Sequence, residues 1–275
     1  MTTHDKNPIP LYLNHPNTQH TTDMDAKRII PCIVIADGQL VPRFGAEDRP
    51  LDRDPLDQVA RYQHAGADEL MLFDASLADE GLVQRKALVK AIAATIDIPF
   101  IVGGGLTSLD EVAEILALGA DKVAVNSAAI AQPSLINEAA TRFGSERIIV
   151  SVSARRYDDQ RGWQPFVAHR QKPTGLEAAT WAREAESRGA GELLITSLEG
   201  RGTQQGYDIG LTRAVADAVS VPVIAAGGAG NVHDFADVFT FGGADAALAI
   251  SLFNDNPDFI GEIKRHLREA AICGW

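Results

Sequence analysis

"RIIPCIVI", residues 28–35, returns 119 residues later as "RIIVSVSA", residues 147–154. Three further pairs keep nearly the same spacing. "GADEL" from Gly66 returns as "GAGEL" from Gly189, and "IPFIVGGG", holding Pro99, as "VPVIAAGGAG", holding Pro222. "GADKVAVNSA" from Gly119 returns as "GADAALAISL" from Gly243. Four matches in one order at a near-constant offset indicate a duplicated half. Each half holds four short apolar runs: "RIIPCIVI", "ELMLFDA", "PFIVGG" and "KVAVNS", then "RIIVSVS", "ELLITSL", "PVIAAGG" and "AALAIS". Continuous apolar runs of this length fit strands of a parallel sheet buried on both faces. Between them lie helical patterns such as "DPLDQVARYQHAG", with an Asp-Pro start and a Gly stop. Eight strands alternating with helices predict an α/β fold, a (β/α)8 TIM barrel of two half-barrels over residues 24–275. An open doubly wound sheet is the alternative, and the duplication favours closure.

The chain has 275 residues, 45% hydrophobic and 23% charged, enough for one large core. A net charge of −12 argues against nucleic acid and anionic membranes as partners. Cys32 and Cys273 have neither metal-type spacing nor the makings of a disulfide framework, so a reducing cytoplasm is the expected setting. No metal and no cofactor is expected. Residues 1–23 are polar and rich in Pro, Asn and Thr, and read as a flexible arm. Their apolar run "PLYL" is too short for a signal-peptide core or a membrane span. Met24 would serve as an alternative start.

Active sites of such barrels form at the C-terminal strand ends. The third strand ends in "VGGGLTS", residues 102–108, and the seventh in "AAGGAGN", residues 225–231. Glycines there let backbone N–H groups approach an oxyanion. The fourth strand runs into Asn126 and Ser127, the eighth into Ser251, and each supplies a small hydroxyl beside a glycine loop. One such loop also reads as a tight turn, but two related by the duplication point to phosphate binding. The residues expected to contribute are Gly104, Gly105, Asn126 and Ser127 on one side. Gly202, Thr203, Gly228, Gly230 and Ser251 form the other. Two cradles across one barrel mouth suggest an elongated ligand with a phosphate at each end.

These motifs resemble the cyclase subunit of imidazole glycerol phosphate synthase, the HisF-like family of histidine biosynthesis. The likeness runs from about Met24 to about His266, through "AKRIIPC", "IPFIVGGG", "GADKVAVNSAA", "GAGELLITS" and "LTRAVADAVSVPVIAAGGAG". The isomerase of the same pathway shares the doubled barrel, but "RIIPC" and "GAGELLITS" favour the cyclase. The resemblance implies a bis-phosphate ribotide substrate and ammonia delivered down the barrel from a HisH-like glutaminase partner. It also implies an ammonia gate, whose matching positions here are Arg28, Glu69, Lys122 and Glu192; such charges also read as structural salt bridges.

The family's general acid/base pair is an aspartate at the end of strand 1 and another at the end of strand 5. Here the first motif reads Cys32-Ile33-Val34-Ile35 and the second Val152-Ser153-Ala154-Arg155. Valine exchanges no proton, and an unassisted serine titrates too high to act near neutral pH. The loop after strand 1 has Pro42 where the family carries a lysine, and the loop after strand 6, Glu199-Gly200-Arg201-Gly202-Thr203, has Arg201 in place of an acid. Ala226 replaces a usual serine. Asp74, Ser153 and Arg201 are the candidate catalytic groups, with Glu199 and His169 as further polar groups at the mouth and Asp37 as a substitute acid. Asp74 also reads as a structural acid bonding loop amides. Arginine does not deprotonate, so Arg201 suits an anion contact better than proton transfer. Three readings follow: a diverged paralogue with altered ammonia-dependent chemistry, a non-catalytic binding or regulatory subunit, and a working cyclase with rearranged acid/base groups.

Overall fold

The computed structural model describes residues 27–42, 50–76, 80–159, 161–167 and 172–272, and for 80–83 and 255 the backbone only. The expected arm, Met24, His169 and Cys273 lie outside the described residues. Eight parallel strands form the barrel: β1 (Arg28–Ala36), β2 (Leu70–Asp74), β3 (Phe100–Gly103), β4 (Lys122–Val125), β5 (Ile148–Arg156), β6 (Glu192–Ser197), β7 (Val223–Ala226) and β8 (Ala246–Ala249). Each coincides, within a few residues, with an apolar run of the sequence. β1 pairs with β8 through Arg28–Pro31 and with β2 through Cys32–Ile35, while β4 pairs with β5, so the sheet closes on itself. Handing β1 from one neighbour to the other halfway along is the stagger of a tilted, closed barrel. It also places Pro31, which has no N–H to donate, at the point where the ladder changes partner.

The apolar runs are continuous because both faces are buried. Ile29, Ile33 and Ile35 belong to the layer between sheet and helices, while Ile30, Cys32 and Val34 belong to the lumen. Met71, Ile101, Ala124, Ile149, Leu194, Ile224, Ala246 and Leu248 fill the same lumen from the other strands.

Two additions go beyond the eight strands expected. β1 runs on to Ala36, turns through Asp37 (φ 50°) and Gly38 (φ 78°), and returns as the strand Gln39–Val41. Two successive positive φ values make a type I′ hairpin, which Asp-Gly favours. The return lays Val41 opposite Val34. β5 likewise extends past the barrel and pairs with Trp163–Val167, which in turn pairs with Lys172–Pro173. Among the described residues no helix is long and apolar enough to cross a membrane.

Candidate functional site

Side-chain alternation sets what the mouth presents. Val34 and Ser153 both turn into the barrel, 1% and 2% exposed. On the β1 side the lining is apolar: Val34 and Val41, with Ala36, Phe73, Ala75 and Ile250 packed against the lumen cluster. On the β4–β6 side it is polar, with Asn126, Ser153 and Thr196. Asn126 Nδ2 donates to Ser153 Oγ at 3.4 Å, and Ser153 is level with Thr196 on β6. The Asn126 Oδ1 is buried with no hydrogen-bond partner among the described residues, so a donor on a ligand could satisfy it.

The acids expected to substitute for a missing pair lie elsewhere. Asp37 is exposed at the hairpin turn, its N–H bonded to Ser76 Oγ at 2.9 Å. Asp74 is buried behind the mouth, where its carboxylate accepts the Ser76 N–H at 2.9 Å and faces Arg85 at 3.7 Å. These contacts are of the kind that the structural reading of Asp74 calls for. Glu199 is exposed in the turn after β6, with Oε2 3.5 Å from the N–H of Arg156. Arg201 is half-buried in the same turn. None of the side chains alternating into the described mouth is a carboxylate.

The two glycine loops repeat each other. Gly104 and Gly105 have φ of 93° and 64°, and Gly227 and Gly228 have 90° and 116°, conformations that L side chains rarely adopt. The long helices beyond them are already capped. Ser108 Oγ caps Leu109–Ala117 through Glu111 N, and Asn231 with Asp234 forms a capping box on Val232–Thr240. Asp234 also takes the N–H of Gly230, an expected phosphate residue, at 2.7 Å. Thr203 is tied down as well, its hydroxyl donating to Gly200 O at 2.7 Å. Open donors come instead with two five-residue helices, Ser127–Ala131 after β4 and Ser251–Asp255 after β8. Their preceding residues, Asn126 (φ −132°, ψ −88°) and Ile250 (φ −117°, ψ −81°), share one backbone conformation and make no side-chain cap. A glycine loop beside the N-terminus of a short extra helix is the usual barrel phosphate site.

At the opposite end of the barrel the four predicted gate residues form one ring. Arg28 pairs with Glu69 at 2.6 Å and with Glu192, and Lys122 pairs with Glu69 at 3.2 Å and Glu192 at 3.0 Å. Burial works to lower the Arg28 pKa, and the charges and hydrogen bonds of Glu192 and Glu69 overturn that, leaving it above the ordinary arginine value. Each carboxylate serves both cations, so removing one leaves two under-compensated charges. Glu192→Ala should cost about 2–3 kcal/mol in urea unfolding, below the ~3–5 kcal/mol for fully buried pairs because both cations keep some solvent. A loss under about 0.5 kcal/mol would mark the ring as an exposed network of little weight.

Sequence reasoning missed Arg85, on the helix Glu80–Ala93. It is 1% exposed and donates through Nη1 to Gly104 O at 2.6 Å. One arginine in a mixed helical stretch gives no signal of burial.

A model of the histidine biosynthesis protein family matches residues 28–257. The imidazole glycerol phosphate synthase subunit HisF of Halalkalibacterium halodurans is 45% identical over 251 residues, covering 91% of this chain and 99% of that protein. The HisF subunit of Symbiobacterium thermophilum is 44% identical over 248 residues, 90% of this chain and 97% of its own length. That of Geobacillus thermodenitrificans is 44% identical over 250 residues, covering 90% and 99%. The closed barrel, the doubled glycine loops and these relatives agree: the chain belongs to the histidine biosynthesis protein family, on the side of its HisF-like barrels.

Proposed function

We propose that this chain is a HisF-like barrel that binds an elongated ligand phosphorylated at both ends, and that it has lost ordinary imidazole-forming cyclisation while its ammonia-dependent chemistry is altered. One observation carries the reading: Val34 and Ser153 occupy the lumen positions where the family's acids are expected, and no carboxylate replaces them among the side chains alternating into the described mouth. General acid/base groups contribute about 10²–10⁴-fold each, so losing both suppresses the step that needs proton transfer. The paired glycine loops with uncapped short helices support the two phosphate sites, and the Arg28–Glu69–Lys122–Glu192 ring supports a gate for ammonia. The relatives are named as synthase subunits, which supports a HisH-like glutaminase partner at the ring end.

Identity of 45% along 99% of a HisF subunit favours a second reading, a working cyclase in which another group moves the proton. Asp37 and Glu199 are the exposed acids with freedom to reach in, since Asp74 is held by Arg85 and Ser76. Turnover of the bis-phosphate ribotide with ammonia in excess, alongside calorimetric binding, separates the cases. Tight binding without imidazole product supports the first reading; product at an ordinary cyclase rate establishes the second. Binding with no product of any kind would make the chain a non-catalytic subunit.

A further inference from the structure

The duplication lets each half of the barrel serve as the control for the other. In the first half, Arg85 lies buried beneath the glycine loop, its Nη1 donating to Gly104 O at 2.6 Å and facing Asp74 at 3.7 Å. The equivalent positions in the second half, 123 residues on, are Asp208, Gly227 and Ser197. Asp208 there caps a helix and accepts from Trp163 Nε1 at 2.9 Å. The second loop is held by backbone instead, with Gly206 N–H donating to Gly228 O at 2.9 Å. Among the described residues, a buried arginine donating to the loop carbonyl is found at the first cradle, and the equivalent position of the second is Asp208.

The stereochemistry gives this cation a task. In a trans peptide the C=O and N–H point in opposite directions. Holding the Gly104 carbonyl toward Arg85 therefore turns the Gly105 N–H away from Arg85. With glycine on both sides, that peptide would otherwise rotate at little cost. The guanidinium also polarises the peptide it grips and so strengthens its N–H as a donor. The Arg85 Nε has no partner among the described residues, so this buried side chain makes fewer bonds than its donors allow. Stability alone does not account for such an arrangement, since a buried ion pair is often no better than apolar side chains of similar volume.

We propose that Arg85 is a positioning residue that fixes the Gly104–Gly105 peptide with its N–H presented to the ligand, making the first loop the tighter of two phosphate sites. The proposal rests on the phosphate-binding reading of the two loops, and the test keeps their failures apart. The probe is inorganic phosphate, titrated calorimetrically into the full chain. Gly228→Asp closes the second loop so that the first is measured alone, and Gly104→Asp does the reverse. In each background Arg85→Met is combined with Asp74→Asn, which removes the ion pair without stranding either charge. Losing one oriented donor to a charged group should weaken phosphate about tenfold to a hundredfold at the first loop. The second loop should stay within about twofold, and unfolding stability should hold or rise. Weakening at both loops alike, or at neither, overturns the proposal while leaving phosphate binding in place. No phosphate binding by the unaltered chain overturns both. Arg85→Lys keeps the charge and one donor, so it should retain more affinity at the first loop than the neutral pair. If the neutral pair fails to fold, Arg85→Lys decides alone: weakening of roughly threefold confined to the first loop supports the proposal, and any other pattern overturns it.

Discussion

Val34→Asp combined with Ser153→Asp should raise ammonia-dependent imidazole formation by at least about 10²-fold over the unaltered chain. The two introduced carboxylates would meet different surroundings. Val34 is 1% exposed, opposite Val41 of the hairpin and level with Phe73 of β2. A carboxylate there is desolvated, which raises its pKa and suits a proton donor. At position 153 the neighbour is Asn126 Nδ2, 3.4 Å from the present hydroxyl, and a hydrogen bond from the amide would favour the ionised form, which suits a proton acceptor. Val34→Asp should cost about 2–3 kcal/mol in urea unfolding, because a polar group enters an apolar layer without a built partner. The decisive number is the rate of the unaltered chain with ammonia in excess, which bypasses any glutaminase. A rate equal to that of an ordinary cyclase would mean that another group moves the proton.

The barrel was legible because its signals are redundant: eight apolar runs and four repeated motifs at a near-constant spacing. The four ring positions were legible through the family resemblance alone; Arg28, Lys122 and Glu192 open their strands and Glu69 directly precedes one, which is what lets the four meet. What escapes a reading of the sequence depends on contacts between segments far apart in the chain. The meeting of Arg85 with Gly104 is set by how the helix Glu80–Ala93 lies on β3, and local pattern carries no trace of it. Two further features do leave a local signal. Asp37-Gly38 between "CIVIA" and "QLV" is a hairpin signal, and it explains how Val41 comes to cover Val34. Asn231 followed three residues later by Asp234 is a capping pattern, and it accounts for the carboxylate that takes the Gly230 N–H. Asp74 stands between the two groups. Its place at a strand end is plain, but its strand position does not reveal the buried Arg85 that holds it.

Gly104→Ala should be among the most damaging single-methyl changes in the chain. A Cβ at Gly104 would lie 2.0 Å from Asp74 O and 2.8 Å from Asp74 C and N, all backbone atoms of β2 that cannot swing aside. The position also has φ of 93°, so the new side chain adds conformational strain to the clash. Overpacking costs about 1–3 kcal/mol and the left-handed conformation about 1–2 kcal/mol, giving an expected loss of roughly 2–5 kcal/mol in urea unfolding. Gly66→Ala separates the two causes. Gly66 has φ of 87°, and a methyl added there would have nothing within 4 Å, so it should lose only the conformational part, about 1–2 kcal/mol. Binding gives the second readout. Displacing the first loop from β2 moves its N–H groups, so Gly104→Ala should weaken a bis-phosphate ligand by at least about tenfold. Gly104→Asp adds a like charge and should weaken it by about a hundredfold or more. Gly66→Ala, on the loop that leads into β2 at the ring end, should leave affinity unchanged. Equal losses of stability at Gly104 and Gly66 would show that the loop can lift from β2 freely. Unchanged ligand affinity in Gly104→Asp would remove the first cradle from the binding site altogether.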